Sequence, residues 1–189
     1  MEAEHRIMPD TRAGTPSPHD QTISGRLRTV EDHLAILNLL AGSSLSADVA
    51  AQDYWQAIYA PGATMDMSCA QPPLTRDALI AVVGSPNQHT ASAHGMAHLS
   101  ALPHVVVTGD EAVATGYLLV VIPDASAPPV TLPGKGVVGA LSIYHLTVNR
   151  WDMIRSPEGW KVTRRTIRPL ASEEARSMLL SGLAVGSVA

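Results

Sequence analysis

The spacing of apolar residues changes once along this chain, near Ala97, and that change limits the folds open to it. Before it, apolar side chains recur every three or four positions; after it, they alternate within β-branched runs. The later segment predicts strands over 97–107, 112–122, 137–151 and 160–168. They are separated by Thr108-Gly-Asp-Glu111, a proline-rich loop over 123–134, and Ser156-Pro-Glu-Gly159, which reads as an antiparallel meander. The earlier segment predicts three helices. Thr29-Val-Glu-Asp32 offers a capping box for a helix over 30–45, with Val30, Leu34, Leu37 and Leu40 on one stripe. After Asp48, Tyr54, Trp55, Ile58 and Tyr59 share one side of a second helix that Pro61-Gly62 ends. Residues 63–68 read as a strand, Thr75 caps a third helix that Gly84 and Pro86 stop, and Ser172 caps a terminal helix ending near Gly182. Residues 1–26 carry Pro9, Pro16, Pro18, Gly14 and Gly25 among charges and are expected as a flexible tail, leaving 27–189 as a single domain. Helices followed by strands without βαβ alternation argue for an α+β fold, its helices on one face of a curved sheet enclosing a conical cavity.

Composition narrows what such a cavity could take. A formal net charge of −4 gives no basic footprint, so nucleic acid is not an expected partner. Cys69 is the only cysteine, which excludes an internal disulfide and any CxxC motif. No apolar run approaches the roughly 20 residues that span a bilayer, and the polar N-terminus lacks the centre of a signal peptide; no membrane partner and a cytoplasmic location are the expectation. With no Phe, three Trp and four Tyr, a pocket must be walled by aliphatic side chains, methionines and a few aromatics. Trp55, Met65, Tyr117 and Tyr144 are the candidate substrate-binding side chains of that kind, and the matching partner is a small hydrophobic molecule.

Two titratable residues stand in apolar company. Asp48 follows Leu45-Ser-Ala, and His98 opens a strand beside Ala97 and Leu99. If they meet, the carboxylate would accept the imidazole Nδ1–H, fix the tautomer and leave Nε2 as a base. Asp48 could equally cap the second helix. His94 and His98 as metal ligands would, in an extended segment, lie about 13 Å apart at roughly 3.3 Å per residue, and no third donor has a matching spacing; no metal and no cofactor are expected. Lys161, Arg164, Arg165 and Arg168 form the one basic cluster, and strand parity lets only one of Arg164 and Arg165 point inward. Complete phosphate loops, GxSxG elbows and repeats are lacking.

The segments SLSAD (ending at Asp48), AIYAPGATMDM (57–67), HGMAHLSALPHVVVTGDEAVATGYLLV (94–120) and NRWDMIRSPEGWKVTRR (149–165) together resemble the SnoaL-like branch of the nuclear transport factor 2-like superfamily. The resemblance spans about residues 29–170 and points to the group that includes hexachlorocyclohexane dehydrochlorinase, scytalone dehydratase and bile-acid dehydratases. It implies a cone-shaped barrel: a strongly curved, mixed but mainly antiparallel sheet wrapped on about three helices, with a C-terminal helix that could close the mouth. It also implies roles. Asp48 stands thirteen residues after Ala35, His98 ends the HxxxH stretch, and Arg165 stands five residues after Trp160, which are the places of the catalytic aspartate, the catalytic histidine and a pocket arginine. Ser43, five residues before Asp48, stands where relatives carry a tyrosine or lysine that assists the substrate. The implied activity is a cofactor-independent lyase of dehydratase or dehydrohalogenase type: His98 takes a proton from carbon, Asp48 supports the imidazolium, and Arg165 or Ser43 steadies the departing group. The substrate class would be polycyclic, terpenoid or polyketide-like. An isomerase or cyclase using the same base, and a non-catalytic binding module, are the alternatives. A homo-oligomer, dimer or trimer, is the implied assembly.

Overall fold

The computed structural model of the chain describes residues 18–67 and 71–184. Expectations for residues 1–17, for the end of the first strand at Ser68 and for Cys69 lie outside those residues.

The first helix, α1 (Pro18–Asp48), begins about three turns before the expected start at 30. Thr29 therefore lies inside it, and its hydroxyl bonds back to the Gly25 carbonyl at 3.1 Å instead of capping. Residues 18–26, expected within the tail, are helical: extending a helix already anchored by packing costs little, even though side chains 22–31 are exposed. The packed face is not the expected stripe: Val30 and Leu34 are exposed and Leu37 is half-buried, while Asp32, Ile36, Leu40, Ser43 and Ala47 are buried on one face, because a polar anchor and small residues pack there in place of the larger aliphatics. Ile36 and Leu40 each contribute on the order of 1.5–3 kcal/mol by burial.

Asp32 fastens this helix to the sheet. Its carboxylate accepts two bonds from Arg155, at 2.5 and 2.7 Å, and one from the Trp160 indole N–H at 3.1 Å. Arg155 lies over the Trp160 ring, 4.4 Å from its centroid, and also donates to Asp110 at 2.9 Å. The bonded guanidinium holds Asp32 below the usual carboxylate range, against the opposing pull of burial.

A turn through Ala50, at φ +53°, leads into α2 (Gln52–Ile58), from which the chain passes directly into β1 (Tyr59–Asp66). Pro61-Gly62 thus sits in a strand, where it was expected to stop a helix. The irregularity absorbs it: the register with the partner strand slips between Tyr59 and Thr64, and Gly62 takes φ +76°. After β2 (Leu74–Thr75), Thr75 caps α3 (Arg76–Val83) as the sequence predicts, accepting from the Ala78 N–H at 3.3 Å. Ser85 then caps a further helix, α4 (Pro86–Ala93), whose start signal, Ser-Pro, doubles as the stop of the preceding one.

The expected strand 97–107 is two strands, β3 (Ala97–Ser100) and β4 (His104–Thr108), interrupted before Pro103. Both pair with β5 (Glu111–Pro123). The break is tight: a Cβ on Gly116 would stand 3.0 Å from the Pro103 Cα. The proline-rich loop carries a small hairpin, β6 (Val130–Leu132) and β7 (Gly136–Val138), and the long strands β8 (Leu141–Ser156) and β9 (Gly159–Pro169) follow. The main sheet runs β2-β1-β9-β8-β5-β3, antiparallel except for β1 with β9. The α+β fold and mixed, mainly antiparallel sheet are as expected, but the sheet is open: β2 and β3 are its ends and do not pair, so it wraps the helices without closing into a barrel.

Its inner face carries Ala112, Ala114, Met153 and Trp151 against Ile36, Trp55, Leu79 and Val83. The outer face is covered in part by α5 (Glu173–Ala184), capped by Ser172. Gly182 rests on Thr115, a residue of β5 whose neighbours in sequence face inward, so α5 lies on the opposite side of the sheet from the cavity and does not close its mouth. No helix among the described residues is long and apolar enough to cross a membrane.

Candidate active site

A cavity of about 400 Å³ lies between the inner sheet face and α1, α2 and α3. Strand register orders its walls. Toward the more buried end, Met65, Arg165 and Trp151 form one row across β1, β9 and β8. Toward the mouth, His98, Val120 and His145 form another across β3, β5 and β8.

At the mouth, Asp48 and His98 meet. The carboxylate accepts the His98 Nδ1–H at 2.6 Å, and the His98 backbone N–H reaches both of its oxygens at 3.0 Å. An ionised carboxylate only accepts, so Nδ1 is the donor, and in the neutral ring Nε2 carries the lone pair. Asp48 is the last residue of α1, where the helix dipole disfavours a negative charge. The three contacts to His98 offset that. The cap reading of Asp48 does not hold, because α2 is preceded by Ala51 and has no side-chain cap. Both side chains are about one-fifth exposed, 19% for His98 and 22% for Asp48, open enough for a ligand to reach.

Toward the more buried end, Arg165 is 6% exposed and donates from Nε and Nη2 to the Asn149 Oδ1 at 2.9 and 2.8 Å. Asn149 in turn donates to Thr147, whose hydroxyl reaches the Leu118 carbonyl. The guanidinium is held by a neutral amide and by the Trp151 ring, 5.3 Å from its carbon, with no carboxylate bonded to it among the described residues. A buried cation without a counter-ion is costly on its own and well placed to meet developing negative charge. Tyr59, fully buried and stacked on Trp55 at 5.4 Å, has its hydroxyl pKa pushed up by burial, with the Arg165 charge pulling the other way. The indole nitrogens of Trp55 and Trp151 are buried without a hydrogen-bond partner among the described residues.

Of the residues singled out from sequence, Asp48 and His98 come together, and His98, Arg165, Ser43, Trp55 and Met65 line the cavity. Tyr117 and Tyr144 do not. Tyr117 pairs with Val148 on the outer face, because Leu118 and Val120 take the inner positions of β5. Tyr144 is the extra residue of a bulge in β8 and is 57% exposed. Of Arg164 and Arg165, the second is the inward one, as parity requires of one of them. His94 is the C-cap of α4 and donates from Nδ1 to the Thr90 carbonyl at 2.7 Å, so its ring turns back on its own helix. Missed were Asn149, Thr147 and His145. Counting inward by twos from Trp151 along β8 reaches all three.

A family model described as a SnoaL-like domain matches residues 28–166. Among solved structures, an NTF2-like protein with a cystatin-like fold from Novosphingobium aromaticivorans is similar at 25% identity over 88% of this chain and 99% of its own, with a TM-score of 0.71. A candidate scytalone dehydratase from the same organism is similar at 15% identity over 75% of this chain and 85% of its own, TM-score 0.58. A candidate dehydratase of the NTF2-like family from Streptomyces avermitilis is similar at 15% identity, covering 75% of this chain and 98% of its own, TM-score 0.54. Among curated proteins none matches. The open sheet wrapped on helices and the family match over most of its length agree: the chain belongs to the SnoaL-like family, within the NTF2-like superfamily.

Proposed function

We propose that the protein is a cofactor-independent lyase that removes a proton from carbon in a small hydrophobic substrate. The observation that carries this reading is the 2.6 Å bond between Asp48 and the His98 Nδ1 at the wall of an apolar cavity. An imidazole held this way has one orientation, one tautomer and a free Nε2. In the reaction, the Nε2 lone pair takes the proton, the C–H electron pair becomes the new double bond, and a group on the adjacent carbon departs with its own pair. Asp48 stabilises the imidazolium so formed. Arg165 stands against the charge that gathers on the substrate's electron-accepting end, in a site largely shielded from water. The aliphatic, methionine-bearing walls favour a terpenoid, polycyclic or polyketide-like compound.

The test is a general probe of carbon deprotonation, nitrobenzisoxazole, whose ring opens to a coloured phenolate once the C–H proton is taken. Opening by the wild-type protein is expected to fall by roughly 10²–10⁴-fold in His98→Ala, with the folded state intact by thermal unfolding. An unchanged rate in that variant contradicts the reading and favours a non-catalytic binding module.

A further inference from the structure

The sheet register places a second imidazole opposite His98. His98 pairs with Val120, and Val120 pairs with His145, so the two histidines flank one buried valine in a single row across three strands. All three line the cavity. Two strand spacings of about 4.8 Å put their Cα atoms on the order of 10 Å apart, with His98 half-buried and His145 exposed at the edge of the cavity.

Just past His145 the alternation breaks. Val121 pairs with Ile143, which leaves Tyr144 unpaired as the bulged residue, and its ring packs on the His145 ring with centroids 4.0 Å apart. Bulges of this kind recur next to active sites, where they re-aim a side chain. The two imidazoles also differ in their partners. His98 is tied to Asp48, whereas the His145 ring has no hydrogen-bond partner among the described residues.

Building on deprotonation by His98, we infer that His145 is the general acid that protonates the leaving oxygen, so that the substrate is an alcohol, of the β-hydroxy carbonyl class, and the product leaves with water. As the C–H pair becomes the double bond, the C–O bond breaks with its pair on oxygen. The protonated His145 ring supplies a proton to that oxygen and becomes neutral. The proton gained by His98 returns to His145 through solvent, which both rings reach. A halide departs as a stable anion and makes no use of such a donor.

Two probes separate this role from that of His98. Nitrobenzisoxazole releases a stable phenolate and needs little help from an acid. The β-hydroxy ketone formed from acetone and nitrobenzaldehyde must expel hydroxide, and does need it. His145→Gln is expected to lower turnover of the hydroxy ketone about 10²-fold more than that of nitrobenzisoxazole, while His98→Ala lowers both alike. An equal effect of His145→Gln on the two probes, or none on either, overturns the inference and leaves the role of His98 standing. Full activity of His98→Ala on both removes the deprotonation reading and this inference with it.

Discussion

Helix α1 carries a buried or half-buried carboxylate toward each end of its packed face, Asp32 and Asp48, and the two do different work. Asp32 is 6% exposed, faces a permanently charged arginine through two bonds and takes a third from an indole. Such a carboxylate is buried behind its donors and has no bonded partner able to change its charge near neutral pH. Asp48 also accepts three bonds, but all come from one histidine, which lines the cavity and whose second nitrogen has no hydrogen-bond partner among the described residues. One site is fixed in charge; in the proposed function the other passes its orientation on to the group that takes the proton. Burial and pairing alone do not distinguish a clamp from a catalytic site. The chemistry of the partner does.

Exchanging the charges tests this contrast. Asp48→Asn keeps the shape but removes the charge that stabilises an imidazolium, and is expected to slow ring opening of nitrobenzisoxazole by roughly 10²–10⁴-fold with little loss of thermal stability. Asp32→Asn is expected to do the reverse. Denaturant titration should register a loss of about 2–3 kcal/mol, somewhat less than a fully buried pair because Arg155 is 29% exposed, while the rate per folded molecule stays near wild type. The acid limb gives a smaller effect. Because the folded-state pKa of Asp32 lies below its usual value of 3.8, its contribution is fully present above that pH and fades as pH falls through it toward the folded value. Asp32→Asn should therefore flatten the fall of stability below about pH 4, and an identical slope in variant and wild type would show that the clamp carries no charge-dependent stability.

Much of this fold can be read from spacing. The change of period near Ala97 and the Thr75 and Ser172 caps are local signals, and each matches the structure, whereas the stripe expected on α1 does not: Val30 and Leu34 are exposed, and Asp32 and Ile36 take the packed face. Departures occur where one residue carries two meanings. Ser85-Pro86 ends one helix and begins another, and Pro61-Gly62, a helix stop by composition, is tolerated in a strand whose register slips around it. The inner face of β5 is hard to identify because Tyr117-Leu-Leu-Val-Val-Ile122 is apolar throughout, so period two disappears and Tyr117 can be assigned to either side.

The candidate site is legible in a different way. No spacing rule links Asp48 with His98, fifty positions later; family resemblance does, and their meeting depends on β3 lying beside the C-terminal end of α1. The inward parity of His145 follows from Trp151 along β8, but its place opposite His98 needs the register of two strand pairs, and the bulge at Tyr144 breaks the count only for the residues before it.

The central claim is that Asp48 acts only through His98. A double-mutant cycle on nitrobenzisoxazole turnover tests it directly, since residues that work as a unit are strongly non-additive. Asp48→Asn should cost its full factor in the wild-type background and almost nothing once His98 is alanine. The same loss in both backgrounds would mean that the carboxylate acts independently of the imidazole, and the dyad would be contradicted.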